Sequence, residues 1–279
     1  MSEYVLGTSD HELERLGFQH EVWGPMTERF LDRLRIAPGQ RVLDAGCGPG
    51  FVVESLRTRV GSGGRVVALD ESPKWMAHLA HTCGEHGWRN VHLMQSTLES
   101  VALEPASFDV IFLRWVLSFL PDPGAIVAKL ARALKPGGVL ALEDYNHEGV
   151  SLFPDSAGFR AMIRATRALY ATRGGDLWIA GRLPALARAA ELDIVEFTPH
   201  MLCGGPQSPA FRWADAFFPF HSDGMLASGL ITADEHTQFR AEWKARKSDH
   251  DALFFSPIVV DCAARKRKQG EPRTGSLFG

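Results

Sequence analysis

An α/β fold with a doubly wound, largely parallel sheet is predicted by three features of the sequence. Beyond residue 40, short apolar segments alternate with longer ones whose apolar residues recur at helical spacing, the order that parallel strands joined by helices produce. The first apolar segment, Val42-Leu43-Asp44, runs directly into Gly46, Gly48 and Gly50, and a helical pattern follows from Phe51 to Val60. The second, Arg65 to Asp70, ends in an acid about 20 residues beyond the last glycine, where ribose-binding acids stand in nucleotide-binding sheets.

Glycine adopts left-handed backbone conformations freely and lets a ligand lie against bare main chain. In an open α/β sheet such a loop stands at the carboxyl end of a strand, where ligands bind. The loop therefore points to a nucleotide-like cofactor. A dinucleotide fingerprint, G-x-G-x-x-G, would place its third glycine one residue later than Gly50, and Pro49 occupies the position before it. The Gly-Lys-Ser/Thr ending of a phosphate-cradling loop is also absent. Asp44 would repel a pyrophosphate but accept hydrogen bonds from an ammonium group, so a cofactor with a cationic amino-acid end fits better. The run from Val42 to Gly50 resembles the first motif of the class I S-adenosylmethionine-dependent methyltransferases, acidic-x-Gly-x-Gly-x-Gly. The resemblance implies a Rossmann-like sheet of seven strands with strand seven antiparallel, helical lid insertions, and S-adenosyl-L-methionine as cofactor. It also implies that Asp44, Gly46, Cys47, Gly48 and Gly50 line the cofactor site.

The remaining elements follow in order. Asp70, with its neighbour Glu71, matches the acid that binds the adenosine ribose in that family. Ser72-Pro73 caps a helix predicted to run to about His86, with Ser as N-cap and Pro at the first helical position. After the third strand, Val91 to Gln95, Thr97 stands where many relatives carry the Asp that reads the adenine amino group. This is a departure from the family pattern; a hydroxyl still accepts a hydrogen bond, and the backbone at Leu98 serves whatever the side chain. The fourth strand, Phe108 to Leu113, places Arg114 at its end as a further cofactor-site candidate. The Asn/Asp-Pro-Pro-aromatic run of methyltransferases that act on nucleic-acid bases is missing there, and so is the His that small-molecule relatives often carry near Ser118. Asp122-Pro123 opens another helix by the same cap logic. Leu134 to Gly138 reads as a turn into a fifth strand, Val139 to Asp144, followed by the polar residues Tyr145-Asn146-His147. A helix over 182–190, a sixth strand over 194–197 and a seventh over 258–263, begun by Pro257, complete the sheet, the last two as an antiparallel pair.

Three segments remain for the acceptor site. Residues 1–39 form an expected N-terminal helical lid, in which the resemblance assigns Tyr4 and Gln19 to the cofactor. The core domain spans 40–268, with helical cap insertions at about 146–178 and 204–250, and 269–279 is an expected flexible tail. The first insertion carries a helix over 160–173 stopped by Gly174-Gly175; the second holds Trp213, Phe217, Phe218, Phe220 and His221, then a helix from Thr232 to Arg246. Aromatic density at the sheet's catalytic edge suits an enclosed apolar or aromatic substrate, and equally suits packing beneath a helical cap. The candidate bases are His147, His200 and His221. Asp144 and Asn146 are too few to make a metal site, so none is expected.

With 279 residues and a net charge of −3, the chain has no general attraction to a phosphate backbone, and no nucleic-acid partner is expected. No apolar run approaches the roughly 20 residues that span a bilayer, and Met1-Ser2-Glu3-Tyr4 lacks the features of a secretory signal. The four cysteines are scattered, without a C-x-x-C pair. These features favour a cytoplasmic monomer or homodimer without membrane contact. The expected function is transfer of a methyl group to an O, N or C nucleophile of a small, apolar or aromatic metabolite. The alternatives are a methyltransferase acting on protein or tRNA, disfavoured by the charge and the lid, and a non-methylating cofactor-binding protein on the same fold.

Overall fold

A computed structural model describes residues 10–172, 174–268 and 270–271. The expectations for Tyr4 and for most of the 269–279 tail lie outside the described residues. The chain runs through α1 (Asp10–Arg33), β1 (Arg41–Ala45), α2 (Val53–Val60), β2 (Arg65–Asp70), α3 (Pro73–Glu85), β3 (Val91–Gln95) and β4 (Phe108–Arg114). After a 3-10 turn at Leu117–Phe119 come α4 (Pro123–Ala133), β5 (Leu134–Asn146), β6 (Ser151–Phe153), α5 (Ala157–Ala171), α6 (Ile179–Ala189), β7 (Leu192–His200) and β8 (Cys203–Gly204). The chain ends through α7 (Pro209–Ala227), α8 (Ala233–Arg246), β9 (Leu253–Phe255) and β10 (Ile258–Lys266).

Seven strands form one sheet in the order β3-β2-β1-β4-β5-β10-β7. Strands β1 to β5 pair in parallel, and β10 is antiparallel to both of its neighbours. The order in which strands are added to the sheet reverses between β1 and β4, the switch point at which α/β sheets open a crevice. Adjacent residues in the central strands serve opposite faces, because a sheet covered on both sides buries both. Val42, Val66, Val110 and Phe112 pack with Phe30 of α1, Leu56 of α2 and Leu79 of α3. Leu43, Val67, Ile111 and Leu113 pack with Val127 of α4 and Leu183 of α6. The sequence-read caps form as expected: Ser72 Oγ accepts the Trp75 N–H at 3.3 Å, and Asp122 Oδ1 accepts the Ala125 N–H at 2.9 Å.

The turn expected at 134–138 is instead a bulge inside β5. Phe108 pairs with Leu134 and Val110 already pairs with Val139, so the extra residues are looped out of the ladder. Gly137 takes φ +84, and a β carbon on Gly138 would lie 2.9 Å from the Lys135 carbonyl oxygen and 3.0 Å from that of Asp109, so both positions require glycine. The sixth sheet strand also exceeds its predicted span, because Leu192 and His200 still find partners in Lys266 and Val259.

A second sheet, β6-β9-β8, was not legible in the sequence, since strands of two or three residues carry no alternation. It joins the two insertions through Ser151 and Cys203, both paired with Phe255. Above it an aromatic core forms among α1, α5, α7, α8 and β9. The Phe159 ring lies 5.0 Å from Phe218, 5.6 Å from Trp243 and 6.0 Å from Phe254. Much of the aromatic density therefore packs the cap. Among the described residues no helix is long and apolar enough to cross a membrane.

The cap depends on one close backbone approach. A β carbon on Gly158 of α5 would lie 2.5 Å from both Cα and N of Phe239 in α8. Gly158→Ala is expected to wedge the two helices apart and destabilise the protein by about 1–3 kcal/mol. Urea unfolding checks this through a lower midpoint at an unchanged slope.

Candidate active site

A cavity of about 420 Å³ opens at the switch point, along the carboxyl ends of the parallel strands. The loop between β1 and α2 forms one wall. Gly46 N–H and Cys47 N–H both donate to the Leu69 carbonyl, at 2.7 and 3.0 Å, which draws the loop against β2. The three glycines all take positive φ, for different reasons. β carbons on Gly46 and Gly50 would meet Val116 at 2.5 Å and Leu79 at 2.4 Å, whereas one on Gly48 would meet nothing within 4 Å. Two of them therefore serve packing, and Gly48 presents bare backbone to the open space. Asp70 braces the loop by accepting the Gly48 N–H at 2.8 Å and the Ser72 N–H at 2.9 Å. Burial raises its pKa, against these backbone bonds.

Asp44 is the test of whether a cation belongs here. It is buried, and its Oδ2 has no hydrogen-bond partner among the described residues. Burial pushes its pKa up to about 7, opposed by the charge of Arg114. A buried carboxylate without a donor costs free energy, and the ammonium of an amino-acid cofactor would supply the missing donor. The residues therefore fit S-adenosylmethionine at this end.

Arg114 holds a polar network together at the end of β4. It donates to Thr27 Oγ1 at 3.1 Å and faces His20 Nδ1 at 3.2 Å, both on α1. Thr27 Oγ1 in turn donates to Glu143 Oε1 at 2.9 Å. Glu143 pairs with Arg114 across the sheet, and burial pushes its pKa up to about 8, so it is largely protonated at neutral pH. Burial and Arg114 push His20 down to about 4, leaving a neutral ring whose Nδ1 accepts. The next residue, Trp115, adopts φ +55, an uncommon conformation for a bulky side chain, held by its N–H donating to the Glu143 carbonyl at 2.8 Å. Its indole stacks on Tyr145 at 5.8 Å.

Of the residues singled out by sequence, Asp44, Gly46, Cys47, Gly48, Asp70, Glu71, Thr97, Leu98, Arg114, Gln19 and His147 all line this one cavity. Gly50 lies behind it against Leu79. The Thr97 hydroxyl is already engaged with Ser100, donating to Oγ at 2.9 Å and accepting the N–H at 3.1 Å. Gln19 Oε1 accepts from Arg15 at 3.0 Å and from the Trp213 indole at 3.2 Å, tying α1 to α7. The other two candidate bases are not brought to the cavity. His200 Nε2 lies 2.6 Å from Asp261 Oδ2, in an ion-pair group with Arg33 and Glu196. His221 stands between Phe217 and Phe220, at 4.6 and 4.8 Å, and burial pushes its pKa down to about 3.

Sequence reasoning missed Tyr170 and the Glu12–Arg15 pair, and it assigned no site role to Trp115 or to Tyr145. Tyr170 stacks on Phe119 at 4.8 Å on the cavity wall. Arg15 donates to both Glu12 oxygens, at 2.8 and 2.7 Å. The spacing of Glu12, Arg15 and Gln19 on one helix face was the signal available for that network. Among the described residues no three His, Cys, Asp or Glu side chains cluster so as to hold a metal ion.

A Rossmann-like sheet, a glycine loop braced by Asp70 and one cavity shared with an aromatic cap define a protein that binds a nucleotide-like cofactor beside an acceptor chamber. Comparison with known proteins agrees. Residues 43–142 match the family model described as a methyltransferase domain. The ubiquinone biosynthesis O-methyltransferase of Hahella chejuensis is 33% identical over 184 residues, covering 63% of this chain and 72% of that one. The aklanonic acid methyltransferase of a Streptomyces species is 34% identical over 133 residues, where the match covers 48% of this chain and only 60% of that relative. In fold, a candidate methyltransferase structure from Bacillus halodurans aligns with a TM-score of 0.61 at 16% identity, covering 86% of this chain and 98% of that one. The chain belongs to the class I S-adenosylmethionine-dependent methyltransferases and is an enzyme that uses that cofactor.

The elevated Asp44 pKa has a signed consequence. In the cofactor-free protein the carboxyl takes up a proton as pH falls through about 7, and that proton must leave before an ammonium is bound. Cofactor affinity is expected to fall about tenfold between pH 8 and pH 6. Calorimetry across that range checks this, and Asp44→Asn is expected to remove most of the pH dependence.

Proposed function

We propose that the chain is an O-methyltransferase of a small, planar aromatic or polyketide-like molecule. The observation that carries this reading is the continuity of one cavity from the glycine loop to a chamber walled by Trp115, Tyr145, Tyr170, Trp213 and Phe217. The two curated relatives described above are, by name, an O-methyltransferase of ubiquinone biosynthesis and a methyltransferase of aklanonic acid, and the first supports an oxygen nucleophile.

S-adenosylmethionine, when bound, supplies a methyl group activated by the adjacent sulfonium. The chain's own residues position, enclose and exclude water, and orientation of this kind contributes several kcal/mol to a bimolecular step. Asp44 takes the ammonium, Asp70 and Glu71 take the ribose hydroxyls, and the Thr97–Leu98 segment walls the adenine. The N-terminal lid, with Gln19, would cover the cofactor, and the insertions after β5 and β8 would cover the acceptor. A chamber so covered admits a small molecule more readily than protein or tRNA. We place the enzyme among monomers or homodimers of the cytoplasm without nucleic-acid or membrane partners.

A product-mass screen of phenols, enols, carboxylates and amines tests the reading: a gain of one methyl on an oxygen acceptor is expected. Asp70→Ala is expected to weaken cofactor binding by about 1.5–3 kcal/mol, roughly ten- to a hundredfold. Equilibrium titration checks it, and unchanged affinity would refute the role given to this acid.

A further inference from the structure

His147 is the one candidate base on the cavity wall, and the group behind it sets which of its nitrogens carries a proton. The residue follows β5 and is 5% exposed. Its N–H donates to the Leu177 carbonyl at 2.9 Å, and its own carbonyl accepts from Arg167 Nη2 of α5 at 2.7 Å. The same guanidinium turns Nε toward His147 Nδ1, at 3.4 Å. Arg167 is held in place by the Trp178 ring, 4.8 Å from its guanidinium carbon, and by Glu148 at 3.8 Å. A guanidinium only donates, so Nδ1 is an acceptor and the neutral ring carries its hydrogen on Nε2. Burial and the charge of Arg167 push the imidazole down to about 3, so the neutral form persists at physiological pH.

General base action at Nε2 would pass through two unfavourable states in succession. The ring would first have to carry its hydrogen on Nδ1, pointing at the guanidinium donor against donor, and on taking the proton would become an imidazolium beside Arg167. The neighbouring groups do not replace it, and Asp144 is not among the residues that line the cavity. Asp144 accepts the Ser118 N–H at 3.2 Å through Oδ2 and the Tyr145 N–H at 2.9 Å through Oδ1. The phenols of Tyr145 and Tyr170 are donors in their ordinary protonated form. The charge of Arg114, on the same wall, favours an anionic guest.

We propose that His147 is a hydrogen-bond donor, through Nε2–H, to a substrate oxygen that enters already ionised, so that the acceptor is an oxygen acid. The class comprises carboxylic acids and phenols or enols acidified by a neighbouring carbonyl. The inference rests on the O-methyl-transfer reading. A lone pair of the oxyanion forms the new O–C bond while the C–S bond of the cofactor breaks with its electron pair returning to sulfur. No proton has to leave the closed site, and His147 is a positioning residue for the nucleophile.

The test uses the protein with S-adenosylhomocysteine and para-nitrophenol, whose visible band reports its ionisation without turnover. The bound probe is expected to ionise about one pH unit below the free probe. His147→Gln, which keeps a side-chain N–H, should retain most of that shift, and His147→Leu should abolish it. Unchanged S-adenosylhomocysteine affinity in both variants would exclude collapse of the site. Failure of the probe to bind, an unshifted or raised ionisation, or a shift that survives His147→Leu would each overturn the proposal. A mass screen in which no acceptor gains a methyl defeats the O-methyl-transfer reading whatever the probe does. Methylated neutral alcohols without a probe shift defeat only the role given to His147, whereas methyl gain on amines alone defeats the O-methyl-transfer reading as well.

Discussion

The partly buried guanidinium of Arg114 is the constraint around which the catalytic edge is organised. A cation taken out of water is costly unless it is paired and hydrogen-bonded, and this one is served from three elements at once. Asp44 of β1 and Glu143 of β5 place carboxyl groups on either side of β4, while Thr27 and His20 of α1 supply acceptors. With burial holding Glu143 largely protonated, the net charge of the cluster depends chiefly on Asp44 and Arg114. The same contacts anchor the N-terminal helix to the sheet, so that cofactor site and lid share one electrostatic support. The strained backbone at Trp115 follows immediately in the chain and turns the indole into the acceptor chamber.

The cavity is a meeting of two kinds of wall. On the cofactor side it is main chain and short polar groups, because the glycine loop presents bare backbone and the Asp70 turn presents carboxyl groups. On the acceptor side it is aromatic, because α1, α5 and α7 contribute inner faces that also form the cap core. Trp213 belongs to both functions. It packs 5.9 Å from Trp23 and 6.3 Å from Phe217, and its indole N–H fixes Gln19. Packing and enclosure are therefore not competing roles for this side chain.

The three histidines show why the acceptor half was hard to read. All three fall near the carboxyl ends of strands or on the aromatic insertion, and residue type and element position alone do not distinguish them. His200 found a carboxylate across the β7–β10 pair, and His221 found a phenylalanine sandwich. His147 alone reached the cavity, with an arginine from a helix 20 residues further along the chain behind it. Which partner each ring meets depends on contacts between distant segments. No local pattern encodes them.

The sheet and the cofactor loop were determined by the sequence itself, because their signals are local. Alternating strand and helix periods follow from burial on two faces, and three glycines at every second position after an acidic strand end define the loop by backbone geometry alone. Even there, the bulge at 134–138 needed the neighbouring strand to reveal it, since only the close approach of Asp109 and Lys135 shows why the chain loops out without leaving the ladder. Only the tertiary structure decided the acceptor side: which aromatics line the chamber, which pack the cap, and which nitrogen of His147 meets Arg167. Those properties arise where α1, the two insertions and the sheet edge converge, and burial, hydrogen bonding and charge at such a junction depend on all of them together.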